Sequence, residues 1–156
     1  MNNNFQIDDT DIRILRILQD NSKITTRQLA EKVNLSTTPV FERLKKLESE
    51  GYIKKYIAVL DADKLGRSFT VFCSVKLKRM SKEVASEFAE RIRMIPEVSA
   101  CYEVAGQFDY ILIINAPSMN YYNDFVINVL GSMDSISTTL STFCMKEIKQ
   151  SNAIFI

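Results

Sequence analysis

The chain contains no histidine and no tryptophan, and only three of its 156 residues are cysteine. Without histidine, Ser-His-Asp and Cys-His catalysis are excluded, as is any metal site with a histidine ligand. The cysteines, Cys73, Cys101 and Cys144, lie far apart and form no C-x-x-C motif, so neither a zinc ribbon nor a thioredoxin-type redox motif is expected. This cysteine usage predicts a reducing, cytoplasmic compartment.

Long apolar runs and a strong net charge are also lacking. No apolar run approaches about 18 residues, so no transmembrane helix and no membrane partner are predicted. Residues Met1–Asn4 lack the charged-then-apolar pattern of a signal peptide. The net charge of +1 argues against a polyelectrolyte protein. Residues 1–60 are slightly basic and residues 61–156 slightly acidic, which is weak support for nucleic-acid contact by the first part.

The motifs of common enzyme classes are missing as well. There is no phosphate-binding loop and no Gly-x-Gly-x-x-Gly sequence. Asp8, Asp9 and Asp11 are close together, but they stand where a helix begins, and carboxylates are expected there for capping. No cationic residue adjoins Cys101 along the chain to lower its pKa. We therefore predict no catalytic residues, no metal and no cofactor.

The first third of the chain instead predicts three helices. Asp8 is a suitable N-cap for the first helix, which ends at Asn21–Ser22. Thr25 and Gln28 have the spacing of a capping box and begin a short second helix. Asn34 can adopt the left-handed conformation that ends it.

The third helix begins close to Pro39, with either Ser36 or Thr38 as its cap. Its apolar residues recur at helical spacing, and Gly51 ends it. Residues Tyr52 to Leu60 then have the pattern of a strand that leads out of the first domain.

After Gly66 the apolar period changes from 3.6 to 2, which marks a second domain. The predicted elements are a strand at 69–77, a helix around 84–95, strands at 98–104 and 110–114, a helix from Ser118 to Gly131 and a strand at 136–147. This βαββαβ order is a split βαβ of ferredoxin-like type. The predicted fold is therefore α+β, with domains at 1–60 and 68–156 joined by a polar linker at 61–67.

Two apolar segments bear on assembly. The strand at Tyr110–Ile114 is apolar on both faces, whereas two helices cover only one face of such a sheet. Sheet-to-sheet dimerisation would cover the other face; a central strand beside an ordinary loop is the alternative. The tail Ala153–Ile156 is either laid on a partner or an edge strand of its own sheet.

The second and third helices have the character of a helix-turn-helix, whose recognition helix enters the major groove of DNA. Thr37 and Thr38 suit contacts to bases or phosphates, Phe41 suits a thymine methyl group, and Lys45 and Lys46 suit phosphates. A plain three-helix bundle with a solvated charged face is the alternative. The residues expected at the DNA interface are Thr37, Thr38, Phe41, Glu42, Arg43, Lys45 and Lys46.

Residues 7–60 also resemble the DNA-binding domain of the leucine-responsive regulatory protein/AsnC (feast/famine) family of prokaryotic regulators. The second half resembles the family's effector and oligomerisation domain, marked by Pro96-x-Val98 and Gly106-x-x-Asp109-Tyr110. The matching N-terminal residues are Ile7-Asp8-x-x-Asp11, Ile14-Leu15, Leu29-Ala30-x-x-Val33-x-Leu35-Ser36, Pro39-Val40-x-x-Arg43-Leu44-Lys45-x-Leu47-Glu48-x-x-Gly51-x-Ile53 and Leu60-Asp61.

This resemblance implies a transcription regulator that binds double-stranded DNA as a homodimer or a tetramer of dimers, with an amino-acid effector bound between dimers. Backbone N–H groups near Gly106 would hold the effector carboxylate, and Asp109 its ammonium group. Alternatively, Gly106 only permits the turn and Asp109 is a strand-edge charge. Ala105 replaces a threonine that is frequent in the family. The implied effector residues are Gly106, Gln107, Asp109, Tyr110, Thr139, Ser141 and Thr142; a stand-alone sensing module without specific DNA binding is the alternative function.

Overall fold

A computed structural model describes residues 6–156 and divides them into two compact units. The first unit contains the chain up to Val59 together with Lys149–Ile156, and the second contains Leu60–Ile148. The boundary near residue 60 lies close to the predicted one. The C-terminal boundary differs, because the end of the chain groups with the first unit and not with the sheet.

The first unit contains three helices, α1 (Asp9–Asp20), α2 (Thr26–Val33) and α3 (Thr37–Ser49). Both predicted N-caps are confirmed. The Asp8 carboxylate accepts from the N–H of Asp11 at 2.9 Å, and the Thr25 hydroxyl accepts from the N–H of Gln28 at 3.2 Å. Both caps are reciprocal capping boxes, so two orphan N–H groups are satisfied at each helix start.

The ends of α2 and α3 also follow the predicted residues. Asn34 is left-handed, with φ of 58°, and Gly51 follows α3 with φ of 77°. Ser36, and not Thr38, is the N-cap of α3, although its side chain makes no capping hydrogen bond. The helices enclose a core of buried apolar side chains: Ile14, Leu29, Ala30, Val33, Val40 and Leu47.

The prediction of a strand at Tyr52–Leu60 is wrong, because the structure has no strand there. A strand needs a neighbour for its backbone hydrogen bonds, and the first unit contains only helices as regular elements among the described residues. Local contacts hold this segment instead. The Ile53 N–H donates to the Leu47 carbonyl at 3.1 Å, and the Tyr56 hydroxyl donates to Oε1 of Glu48 at 2.8 Å.

The second unit has the predicted βαββαβ order. Its strands form one antiparallel sheet in the order β2-β3-β1-β4, and its helices cover one face. The elements are β1 (Phe69–Leu77), α4 (Lys82–Arg93), β2 (Val98–Glu103), β3 (Tyr110–Ala116), α5 (Met119–Phe125) and β4 (Ile136–Phe143).

The second helix of this unit is not uniform as predicted. It changes after α5 to a π-helical turn, Val126–Leu130, which is closed by the N–H of Gly131 on the Val126 carbonyl at 2.8 Å. A Cβ on Gly131 would lie 2.5 Å from the Ile127 carbonyl oxygen. The π-helical turn therefore leaves no room for a side chain at position 131.

The last strand ends at Phe143, whereas the alternating pattern predicted Glu147. Phe143 pairs with Val71, and the Cys144 N–H donates to the Thr70 carbonyl at 3.0 Å. Because β1 begins at Phe69, the chain beyond Cys144 has almost no strand left to pair with.

The two faces of the sheet are covered differently. On the helix-covered face, β1 and β3 bury residues such as Val71, Val75 and Leu112 completely. The opposite face carries Phe72 and Leu140, which are 38% and 52% exposed. Ile111 and Ile113 lie on the same open face, as does Tyr102, by their register with β1 and β2. Tyr110–Ile114 therefore directs apolar side chains to both faces of the sheet, as predicted.

Candidate DNA interface and effector site

The outward side of α3 presents most of the residues that the sequence predicted to face DNA. Val40 and Leu47 are fully buried, and their anchoring fixes the rotation of the helix about its axis. Thr37, Thr38, Phe41, Glu42, Lys45 and Lys46 are all exposed as a result.

Phe41 and Lys45 form one composite feature on this side. The Lys45 ammonium lies 4.8 Å from the centre of the Phe41 ring, a cation–π contact across one helical turn. Phe41 itself is 49% exposed. The pair places an apolar surface directly beside a positive charge, which suits a groove with methyl groups on its floor and phosphates on its rim.

Arg43 differs from the other residues of this set. Its Nη1 atom donates to Oδ2 of Asp8 and to Oδ1 of Asp11, both at 2.7 Å. Asp11 is only 2% exposed, so the guanidinium compensates a buried charge. Arg43 thus ties α3 to the start of α1, a role that the sequence did not predict, and its contact with DNA stays a prediction.

The electrostatics of this tie are mutual. Hydrogen bonds to Asp11 and Asp8 raise the pKa of Arg43. The N–H of Asp11, followed by Arg43, lowers the pKa of Asp8. The sequence signal was present, because Asp8, Asp11 and Arg43 all belong to the family-like motif. Helix capping alone accounts for both aspartates at the sequence level, so the motif does not show that the Asp11 carboxylate is buried and needs a cationic partner.

The turn between β2 and β3 is the second candidate site. Gly106 has φ of 153°, a conformation that L side chains rarely adopt. The turn is closed by the Val104 N–H on the Asp109 carbonyl and is joined to β1 by the Asp109 N–H on the Val75 carbonyl, both at 2.9 Å. The backbone conformation of the turn therefore explains why a glycine stands at position 106.

The side chain of Asp109 is already engaged on both oxygens. Oδ1 accepts from the Lys76 ammonium at 2.9 Å, and Oδ2 accepts from the Leu77 N–H at 2.8 Å. The Leu77 N–H and, after it, Lys76 lower the pKa of Asp109. This geometry joins the turn to β1. Lys76 was not predicted at this site, although the alternation of β1 placed its side chain among the polar ones.

The other predicted effector residues are spread over both faces of the sheet. Tyr110 is buried against Phe88, with ring centres 4.6 Å apart. Thr139 and Ser141 lie opposite Val75 and Cys73 on the helix-covered side, whereas Thr142 lies opposite Phe72 on the open side. Within residues 6–156, one chain does not bring all seven predicted residues into one pocket.

Two of these positions nevertheless have specific surroundings. The Ser141 hydroxyl lies 2.6 Å from that of Tyr122, and burial raises the pKa of Tyr122 to about 12. Thr139 lines a cavity of about 190 Å³ beside the π-helical turn. Apolar residues of the helix end and of the start of β4, together with Ser137 and Thr138, complete the lining.

Comparison with known proteins agrees with this architecture. Residues 7–54 match a winged helix-turn-helix DNA-binding model, and residues 70–154 match the Lrp/AsnC ligand-binding domain. The second match covers more than half of the chain. This chain belongs to the Lrp/AsnC family.

Relatives in the Lrp/AsnC family match over almost their whole length. The Bkd operon transcriptional regulator of Pseudomonas aeruginosa is 35% identical over 92% of this chain and 94% of its own. The leucine-responsive regulatory protein of Escherichia coli is 33% identical, over 96% and 92%. A Neisseria meningitidis transcriptional regulator in complex with L-Met superposes with a TM-score of 0.91 and 35% identity, over 96% of both chains.

These matches show a transcription regulator with separate DNA-binding and ligand-binding domains. The described part of the chain holds no group of three or more His, Cys, Asp and Glu residues that could bind a metal ion. In the same residues, no helix is long and apolar enough to cross a membrane.

Proposed function

We propose that the outward side of α3 reads specific operator sequences and that an amino acid, bound at the β2–β3 turn, controls this binding. The observation that carries the proposal is the orientation of α3. Its apolar side is locked in the core, while the Phe41–Lys45 pair and two threonines face outward.

Each exposed residue of α3 suits a different part of DNA. Thr37 and Thr38 are in its first turn, and the N-terminal residues of a recognition helix reach base edges. Phe41 suits a thymine methyl group, and Glu42 can accept from a cytosine amino group. Lys45 and Lys46 would contact phosphates, which supply affinity without sequence preference.

The open face of the sheet supports a homodimer. Phe72, Tyr102 and Leu140 form a partly exposed apolar surface together with Ile111 and Ile113. Packing against a second copy would remove this surface from water. A dimer would present two α3 helices to half-sites about one helical turn apart, and a tetramer of dimers would raise the apparent affinity by holding several half-sites together.

For the effector, the relative that was solved with L-Met favours an amino acid. Backbone N–H groups of the Gly106–Gln107 turn are candidates to hold its carboxylate. Asp109 would hold the turn on β1 through Leu77 and Lys76. Its carboxylate can also contact the effector ammonium group if that group shares Oδ1 with Lys76. Tyr110, Thr139, Ser141 and Thr142 remain candidates for its surroundings, with neighbouring dimers completing the site.

A footprint on the DNA upstream of the chain's own gene tests this function, with and without a mixture of amino acids. We expect protected segments about one helical turn apart, and a changed pattern with amino acids. Thr38→Ala should relax the preference at one base position. Lys45→Ala should weaken binding to all sequences and lower the log–log salt slope by about one.

Lys82→Ala is the matched control for Lys45, because it removes an exposed lysine from α4 in the other unit. Its salt slope should equal that of the wild type. Unchanged binding by both α3 variants would exclude α3 as the recognition helix. Amino-acid binding without any DNA protection would favour the stand-alone sensing module instead.

A further inference from the structure

The segment Ser151–Ile156 contacts α1, and this contact has no place in the function described above. Gln19 and Ile154 exchange two hydrogen bonds. Nε2 of Gln19 donates to the Ile154 carbonyl at 3.1 Å, and the Ile154 N–H donates to Oε1 of Gln19 at 2.6 Å. Nε of Arg16 donates to the Ile156 carbonyl at 2.6 Å. The segment is therefore not an edge strand of the sheet, and it is bound to α1 of the same chain.

The spacing of the contacts explains how a helix can hold this segment. Arg16 and Gln19 are three residues apart and so lie on one side of α1. The carbonyls of Ile154 and Ile156 are two residues apart and face one side of an extended segment. The Gln19 amide thus takes the place of a neighbouring strand, since it both donates to and accepts from the same residue.

Apolar burial contributes little to this contact. Ile154 is 73% exposed, and Phe155 is fully exposed. The tail is held by main-chain hydrogen bonds to exposed side chains, and each such bond adds little net stability in water. An element held this weakly opens and closes far more readily than the core does.

The tail follows β4 closely in the chain, and β4 carries predicted effector residues. β4 carries Thr139 and Ser141, and residues 144–150 lead directly from its end to the tail. This short connection is a covalent route by which a change at β4 would reach the segment that lies on α1.

We propose that Ser151–Ile156 is a releasable strap that couples the effector site to the DNA-binding unit. Effector binding shifts the strap between its docked and released states, and docking restrains α1 and, through the Arg43 tie, α3. DNA and effector are then coupled because both bias the same two-state element. This inference rests on the function proposed above.

The test uses the full-length protein and Gln19→Ala, which removes both bonds to Ile154. Asp20→Ala is the control, since Asp20 is exposed in the same turn of α1 and makes no side-chain hydrogen bond to the tail among the described residues. Hydrogen exchange of residues 9–20 and 151–156 reports docking. Titration of operator DNA, with and without L-methionine or a mixture of the standard amino acids, reports coupling.

We expect Gln19→Ala to speed exchange in the tail by roughly threefold to tenfold and to reduce the effector-induced change in DNA affinity at least about threefold. The DNA affinity without effector should shift toward that of the released state, because docking and DNA binding bias the same equilibrium. Gln19→Glu keeps an acceptor for the Ile154 N–H and loses the donor to the Ile154 carbonyl, so its tail exchange and effector response should lie between those of the wild type and Gln19→Ala. The control should match the wild type in both readouts.

Unchanged tail exchange in Gln19→Ala would overturn the docking, and faster exchange with an unchanged effector response would overturn the coupling. A wild-type protein that neither binds DNA nor responds to amino acids would overturn the proposed function, and the coupling with it. Tail exchange in that protein would still show whether the segment is docked, so the two failures are distinguishable.

Discussion

Two aspartate–cation contacts, one in each unit, show how differently the same chemistry is used. In the first unit, Arg43 bridges two carboxylates, and Asp11 is only 2% exposed. In the second, Lys76 reaches Asp109 from a side chain that is 42% exposed, and the Leu77 N–H satisfies the other oxygen. Asp11 also accepts one backbone N–H, that of Asp8 at 3.1 Å, so the two sites differ in burial: the Asp11 side chain is 2% exposed and that of Asp109 is 13% exposed.

The largest effect expected from this difference is that of Arg43→Ala. It leaves the Asp11 carboxylate buried without its cation, and we expect a loss of about 2 to 3 kcal/mol in the free energy of unfolding. This loss is smaller than for a fully buried ion pair, because the Arg43 side chain is partly exposed. Urea unfolding of the full-length protein measures it. Arg27→Ala removes an exposed i,i+4 pair with Glu31 and should cost less than about 1 kcal/mol. Equal losses would contradict the structural role of Arg43.

A smaller effect is expected at the turn. Asp109→Ala removes the acceptor of the Leu77 N–H as well as the partner of Lys76, and should cost about 1 to 2 kcal/mol in the free energy of unfolding. It should also abolish the effector response while basal DNA binding persists. Lys76→Ala keeps the bond to Leu77 and should cost about 0.5 kcal/mol. A larger loss in Lys76→Ala than in Asp109→Ala would reverse the comparison, and loss of basal DNA binding in Asp109→Ala would indicate a role in assembly.

The smallest effect concerns pH. The folded state lowers the pKa of Asp109, first through the Leu77 N–H and then through Lys76. A lowered carboxyl pKa adds stability that is fully present above the unfolded value and is lost as pH falls through the folded one. Asp109→Asn should therefore lose less stability than the wild type between about pH 6 and about pH 3, as measured by urea unfolding. Parallel pH profiles would show that the Asp109 charge does not stabilise the turn.

Local patterns predicted much of the fold correctly. The capping boxes at Asp8 and Thr25 each involve residues three positions apart, and the strand alternation from Phe69 to Leu77 depends on a period of two. The exposed side of α3 followed from helical spacing in the same way. These features depend on neighbours in sequence, so spacing was enough to find them.

The errors concern features that depend on a distant partner. The strand at Tyr52–Leu60 is absent because nothing pairs with it, and β4 stops at Phe143 because β1 begins at Phe69. The contact of Arg43 with Asp11 also escaped prediction, since α3 alone does not reveal Asp11 on α1; the DNA contact of Arg43 stays a prediction. The pleat also places Thr142 on the face of the sheet opposite to Thr139 and Ser141, and its role at the effector site stays a prediction.

The sequence by itself determined where the helices lie, the βαββαβ order of elements along the chain and the family, because capping, alternation and ordered motifs are encoded in short stretches of chain. Only the tertiary structure decided that Arg43 is committed to Asp11, that Asp109 is engaged by Lys76 and Leu77, and that the tail lies on α1. These contacts join residues that are 32 to 140 positions apart. Such pairings follow from how the elements pack together, and no local pattern along the chain encodes them.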